Sequence, residues 1–180
     1  MVDKIETPRD FYSHVVGVDI MEFRNKPDDL RLAYHACVSL LSLRDWIYVN
    51  YVNAVWVWNG VTQPPFVYKT DLQSSLEALC DDFRLITDVA NASKHLTLDK
   101  KRRRTQAEGV ANVHVHTTTT YIGGATFGQF MFKVTTFNEP PEIVTEDSVI
   151  IDDGGTLYDV MAAVESTSNV WAQLLTENNW

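Results

Sequence analysis

The sequence predicts an α+β, mainly α protein: a four-helix bundle with a small antiparallel β-meander inserted before the last helix. Three observations carry that expectation. Apolar residues recur at three- and four-residue spacing behind clear helix-start signals, the period changes to two near Gly109, and the helical period returns after Asp152-Asp153-Gly154-Gly155.

The first helix, near residues 8–25, opens on Thr7-Pro8-Arg9-Asp10, which combines an N-cap, a proline at the first helical position and an acid at the third. The second, near 27–58, follows Pro27-Asp28-Asp29. Ala33, Cys37, Leu40, Leu43, Ile47, Tyr51 and Ala54 make it the central helix, although Tyr48 to Trp58 would also suit a strand. The third, near 71–98, starts at the capping box Thr70-Asp71-Leu72-Gln73 and carries Leu72, Leu76, Leu79, Phe83, Ile86 and Ala90. The meander, near 110–151, is expected from Val113 to Tyr121, from Ala125 to Phe137 beyond the Gly123-Gly124 turn, and from Val144 to Ile151. Thr156-x-x-Asp159 then starts the last helix, near 156–177.

A chain of 180 residues fits one domain, 1–180, with room for a core that needs no staples. Cys37 and Cys80 lie within helical patterns without Cys-x-x-Cys spacing and read as reduced core thiols. The N-terminus has no signal-peptide pattern, so a cytoplasmic location is expected. The apolar run Trp46 to Trp58 is interrupted by Asn50 and Asn53 and is too short to span hydrocarbon, so no membrane is expected as a partner. The net charge of −9 opposes indiscriminate nucleic-acid binding. Between Asp99 and Arg104, however, five cations and one anion give a local +4 and leave −13 elsewhere. Lys100, Lys101, Arg102, Arg103 and Arg104 are therefore the candidate nucleic-acid contacts, on a solvated loop.

The third helix carries a polar stripe of Glu77, Asp81, Arg84, Asp88, Asn91 and His95. Read simply, it faces water and pairs within itself, for example Arg84 with Asp88. Read as a site, it contains Asn91-Ala92-Ser93-Lys94-His95, an amide and an imidazole one turn apart, and here the chain resembles the HEPN superfamily. That family consists of helical bundles, many of them metal-independent endoribonucleases, with an Arg-polar-x-x-x-His motif. Asn91 and His95 match its Asn-x-x-x-His part, while Ala90 stands in place of the arginine. The resemblance implies a candidate catalytic set of His95, Asn91, Arg84, Asp88 and Lys94. His95 would move a proton, Asn91 would orient phosphate and a cation would stabilise its charge. It also implies a homodimer, since such sites are assembled between two protomers.

His114 and His116 share one strand face and are weak metal candidates, with Asp147, Asp152 and Asp153 as further donors. His14 and His35 read as packing residues, and the five tryptophans as core, with Trp56 and Trp58 beside Asn59-Gly60 as an alternative binding edge. No phosphate loop, nucleophile elbow or zinc spacing is present, and no cofactor is expected. The general layout resembles uncharacterised bacterial or phage-encoded proteins, which implies a setting of defence or counter-defence. The expected function is a non-catalytic interaction module with a protein partner. The alternative is an atypical HEPN-like endoribonuclease acting on RNA through Asn91 and His95.

Overall fold

The computed structural model describes residues 4–93, 113–122, 142–153 and 156–180. The first helical rod starts where its signal places it. Thr7 Oγ1 accepts the Asp10 amide at 3.1 Å, and Asp10 Oδ2 accepts the Thr7 amide at 3.0 Å, so α1 (Pro8–Phe11) opens on a reciprocal cap. The rod continues through a π-helical turn (Tyr12–Val16), whose wider winding passes the Gly17 amide to the Tyr12 carbonyl, into α2 (Gly17–Asn25). Val16, Ile20 and Phe23 face the core.

The central helix, α3 (Leu30–Tyr51), begins at Leu30 rather than Pro27. Asp29 is its cap, with Oδ1 accepting the Arg31 and Leu32 amides at 2.9 and 3.2 Å. The ambiguity at its far end resolves into helix and then strand, because β1 (Trp56–Trp58) pairs antiparallel with β2 (Val61–Gln63). Asn59 and Gly60 sit at φ 51° and 74°, the two positive values that a tight primed turn requires. On its other edge β1 meets a side chain: the Val57 amide donates to Asn178 Oδ1 at 2.6 Å, and Asn178 Nδ2 donates back to the Val57 carbonyl at 3.0 Å.

The single helix expected over 71–98 is two helices, α4 (Lys69–Leu79) and α5 (Asp82–Ala92). Cys80 between them is extended, at φ −148° and ψ 107°. The apolar spacing runs straight across this bend and conceals it. The paired acids Asp81-Asp82 are the overlooked signal, since they suit the positive end of a new helix. Thr70 does not cap α4 either; Asp71 reaches back to the Val67 and Tyr68 amides at 3.1 and 2.8 Å. With α1 and α2 forming one rod, the described residues hold five helical rods where a four-helix bundle was expected.

The second sheet comprises β3 (Val113–Ile122), β4 (Glu142–Asp153) and β5 (Thr156–Asp159) in the order β3-β4-β5, all antiparallel. Register runs unbroken from Val113↔Ile151 to Ile122↔Glu142. The expected strand Ala125 to Phe137 lies outside the described residues. Val113, Val149 and Ile151 are buried against the helices, whereas residues 114–118 and 145–147 are exposed on both faces. Thr156 belongs to β5, and Asp159 caps α6 (Val160–Asn178) by accepting the Ala162 amide at 2.9 Å.

The last helix closes the core. Trp171 is fully buried edge-on to Phe83, and Asn179 adopts the left-handed conformation that turns Trp180 inward. Trp180 stacks on Tyr51 with centroids 5.4 Å apart, while Arg9 donates to the Trp180 and Leu175 carbonyls at 3.1 and 2.6 Å. A cation at a helix C-terminus is favourably placed.

Trp180→Ala is expected to lower the unfolding free energy by about 3–5 kcal/mol, measured by urea denaturation. Asp10 supplies a pH-dependent contribution. The Thr7 hydroxyl and the Glu6 and Thr7 amides hold its carboxyl below the ordinary value of 3.8. A lowered folded-state value stabilises fully above the unfolded pKa and is lost as pH falls through the folded one. The difference in Tm between the native chain and Asp10→Asn should therefore be largest near pH 7 and close progressively below about pH 4.

Candidate functional site

The bend at Cys80 breaks the polar stripe expected along one helix. Glu77 lies on α4, and Arg84, Asp88 and Asn91 lie on α5. Arg84 is exposed and turns toward Asp81, with Nη2 at 3.8 Å from the carboxylate and Nε donating to the Asp81 carbonyl at 3.3 Å. Asp88 is fully buried and partnered, not part of a solvated face, because α5 packs nearly all round. Asn91 is half-buried. Lys94, His95 and the basic run Lys100 to Arg104 lie outside the described residues.

A polar relay joins α3, α4 and α5. Arg44 Nη1 donates to Gln73 Oε1 at 2.5 Å, and Gln73 Nε2 donates to Glu77 Oε1 at 2.6 Å and Thr87 Oγ1 at 3.1 Å. Thr87 passes its own proton to the Phe83 carbonyl at 2.8 Å. At the solvent end Arg44 binds Asp45 at 2.8 Å, and Lys69 lies 3.3 Å from the same carboxylate. Gln73 is buried with each side-chain atom engaged, an arrangement that fixes the angle between helices.

His114 and His116 are exposed on one face of β3, opposite Ile150 and Ser148. Asp147 pairs with Thr117, two-residue alternation puts it on the other face, and it accepts the Thr117 hydroxyl at 2.5 Å. Among the described residues no group of three His, Cys, Asp or Glu side chains is placed to hold a metal. His14 and His35 are exposed rather than packed; the His14 ring nitrogen lies 2.9 Å from the Asp10 carbonyl oxygen. Cys37 is fully buried, which raises its thiol pKa, and Cys80 lies against Ser166 and Thr167. Trp56, Trp171 and Trp180 are core residues, with Trp46 and Trp58 half-buried.

Two surface features remain. A cleft of about 670 Å³ opens between the first rod and the N-terminal half of α3, with Ser93 at its margin. Phe11, Val15, Tyr34 and Val38 supply apolar wall, and the Tyr34 hydroxyl is buried without a hydrogen bond among the described residues. Toward the other end of α3, Val49, Val52, Val55, Val61, Val67 and Tyr68 are exposed. They belong to one region: Tyr48 donates to the Val67 carbonyl at 3.2 Å, the Asn53 amide to Phe66 at 3.0 Å, and Trp56 to Pro64 at 2.8 Å. No Asp, Glu, Lys or Arg occurs between Asp45 and Lys69. That gap is the sequence signal for this surface, and it contains the Trp56 and Trp58 edge beside Asn59-Gly60 that the sequence offers as a binding edge.

Comparison of the chain with protein-family models, with curated proteins and with solved structures returns no match.

The relay and the exposed arginine should respond differently to substitution. Gln73→Ala removes one partner each from Arg44, Glu77 and Thr87 and is expected to cost about 1–3 kcal/mol by denaturant unfolding. Arg84→Ala should stay within about 0.5 kcal/mol.

Proposed function

We propose that the chain is a non-catalytic interaction module that docks a protein partner through the uncharged end formed by the C-terminus of α3, the β1–β2 hairpin and the 64–68 segment. The observation that carries this reading is the exposure there of Val49, Val61 and Tyr68, at 74%, 60% and 66%. Grouped apolar side chains of that size mark interaction surfaces, and interface centres are depleted in charge and enriched in aromatic residues. The Asn178 bridge adds to the case, because it ties β1 to α6 and so reduces the ordering a partner would have to impose at this end.

Charge favours protein over RNA. Every Asp, Glu, Lys or Arg in the described β3–β5 sheet is acidic: Glu142, Glu146, Asp147, Asp152, Asp153 and Asp159. Such a field repels phosphate. Among the candidates for the ribonuclease chemistry, Arg84 turns to Asp81 and Asp88 is enclosed, which supports interaction over cleavage.

Oxidative footprinting tests the proposal in the cells that natively make the chain. Tyr68 and Val49 should be protected there relative to dilute purified protein, while the equally solvent-facing Met21 is oxidised alike in both. Val61→Lys should abolish the protection and leave Tm within about 2 °C. Equal labelling of Tyr68 in both settings would refute the interaction reading. Chelator-resistant RNA cleavage lost on Asn91→Ala would replace it with the ribonuclease.

A further inference from the structure

The cleft beside the first rod has a chemistry that docking at the uncharged end does not use. Its apolar walls enclose oxygen atoms that act as acceptors. Ser39 donates its hydroxyl proton to the Ala36 carbonyl at 3.1 Å, Ser42 to Val38 at 2.7 Å and Ser93 to Ala90 at 2.7 Å. A hydroxyl whose proton is engaged offers a guest its lone pairs. The Tyr34 hydroxyl neither donates nor accepts among the described residues and is itself buried behind the wall.

Asp19 adds a charge to this set. It lines the cleft, is half-buried, and makes no ion pair or side-chain hydrogen bond among the described residues. It is the one acidic side chain among the described lining residues, so a cation seated in the cleft is drawn to it. Arg31 and His35 also line the cleft but make no ion pair with Asp19: the Arg31 side chain is 65% exposed and leans to Asp29 at 4.0 Å, and His35 is exposed. Volume and wall fit a small molecule, since such sites span roughly 300–1,000 Å³. The π turn that brings Val15 to the wall is a helix irregularity that recurs at binding sites.

The geometry points to a binding site for a small organic cation with an apolar, aromatic body. Its ammonium would rest on Asp19 and donate to the serine oxygens. Its body would lie against Phe11 and Tyr34, whose ring faces also attract positive charge. An anion of the same shape meets Asp19 and a field of net charge −9.

The probe is phenethylammonium, titrated by calorimetry and ligand-observed NMR beside two molecules of similar shape, the anion 3-phenylpropionate and the neutral 2-phenylethanol. The cation should bind saturably, about tenfold or more tighter than either. Asp19→Asn should remove that preference with the fold intact by circular dichroism, and Arg31→Gln should leave cation affinity equal or higher. Ser42→Trp, which fills the cleft, should abolish binding of all three; if it fails to fold, Asp19→Asn alone decides. Equal binding of cation and anion, affinity indifferent to Asp19→Asn, or no saturable binding at millimolar concentration would each overturn the proposal.

Discussion

The wide buried face of α3 has to be covered, and no single neighbour spans it. Leu32, Ala33, Ala36, Cys37, Leu40, Leu43 and Ile47 are buried and, at roughly 100° per residue, fall on one broad arc of the helix, which Leu41 extends. Fully burying each leucine or isoleucine of this set is worth roughly 1.5–3 kcal/mol, and each alanine methyl less, so covering this face is a substantial part of what stabilises the fold. The rod formed by α1 and α2 covers one side, α5 and α6 cover others, and the foot of the β3–β4 ribbon adds the last apolar residues. Leu72, Leu76, Phe83 and Ile86 would share one face on a straight helix as well; the extended Cys80 changes the axis between them, and all four are buried.

Local signals were the legible part of the fold. Thr7 and Asp10 set the start of the first rod and the apolar spacing of α3 and α6 set the core, because each is decided by neighbours a few residues away; the hairpin at Asn59-Gly60 replaces the last part of the helix expected to run to 58. The break at Cys80 escapes the periodicity, which reports which residues face inward and stays silent about a change of axis; only the paired acids Asp81-Asp82 mark it. Asp88 shows a different limit. A charged residue on a polar stripe reads as solvated, and only the packing of α5 on several neighbours shows it enclosed. Of the candidate site, the histidine and cation motifs were visible as types. The unpaired Asp19 and its serine oxygens were not, because they gather from α2, α3 and the end of α5.

Charge is unevenly distributed over the described surface, and that distribution separates the kinds of contact each region can make. The sheet carries acids without Lys or Arg, the helical body mixes both signs in pairs such as Arg24–Glu165, and the hairpin end carries neither. Two surfaces of one sign repel and mixed surfaces bind weakly through screened pairs, so the uncharged end is where close approach costs least desolvation of charge.

The bridge from Asn178 to Val57 has a consequence for the order of folding. The β1–β2 hairpin is built from residues close in sequence, yet the far edge of β1 is completed by a side chain 121 positions away. An isolated two-stranded hairpin is marginal in water. Bringing Asn178 to it requires α6 to be docked along α3, a contact of high sequence separation that is entropically expensive to form early. The hairpin is thus a late element whose final geometry records that the last helix has arrived, and an error in seating α6 would disorder a surface belonging to another part of the chain.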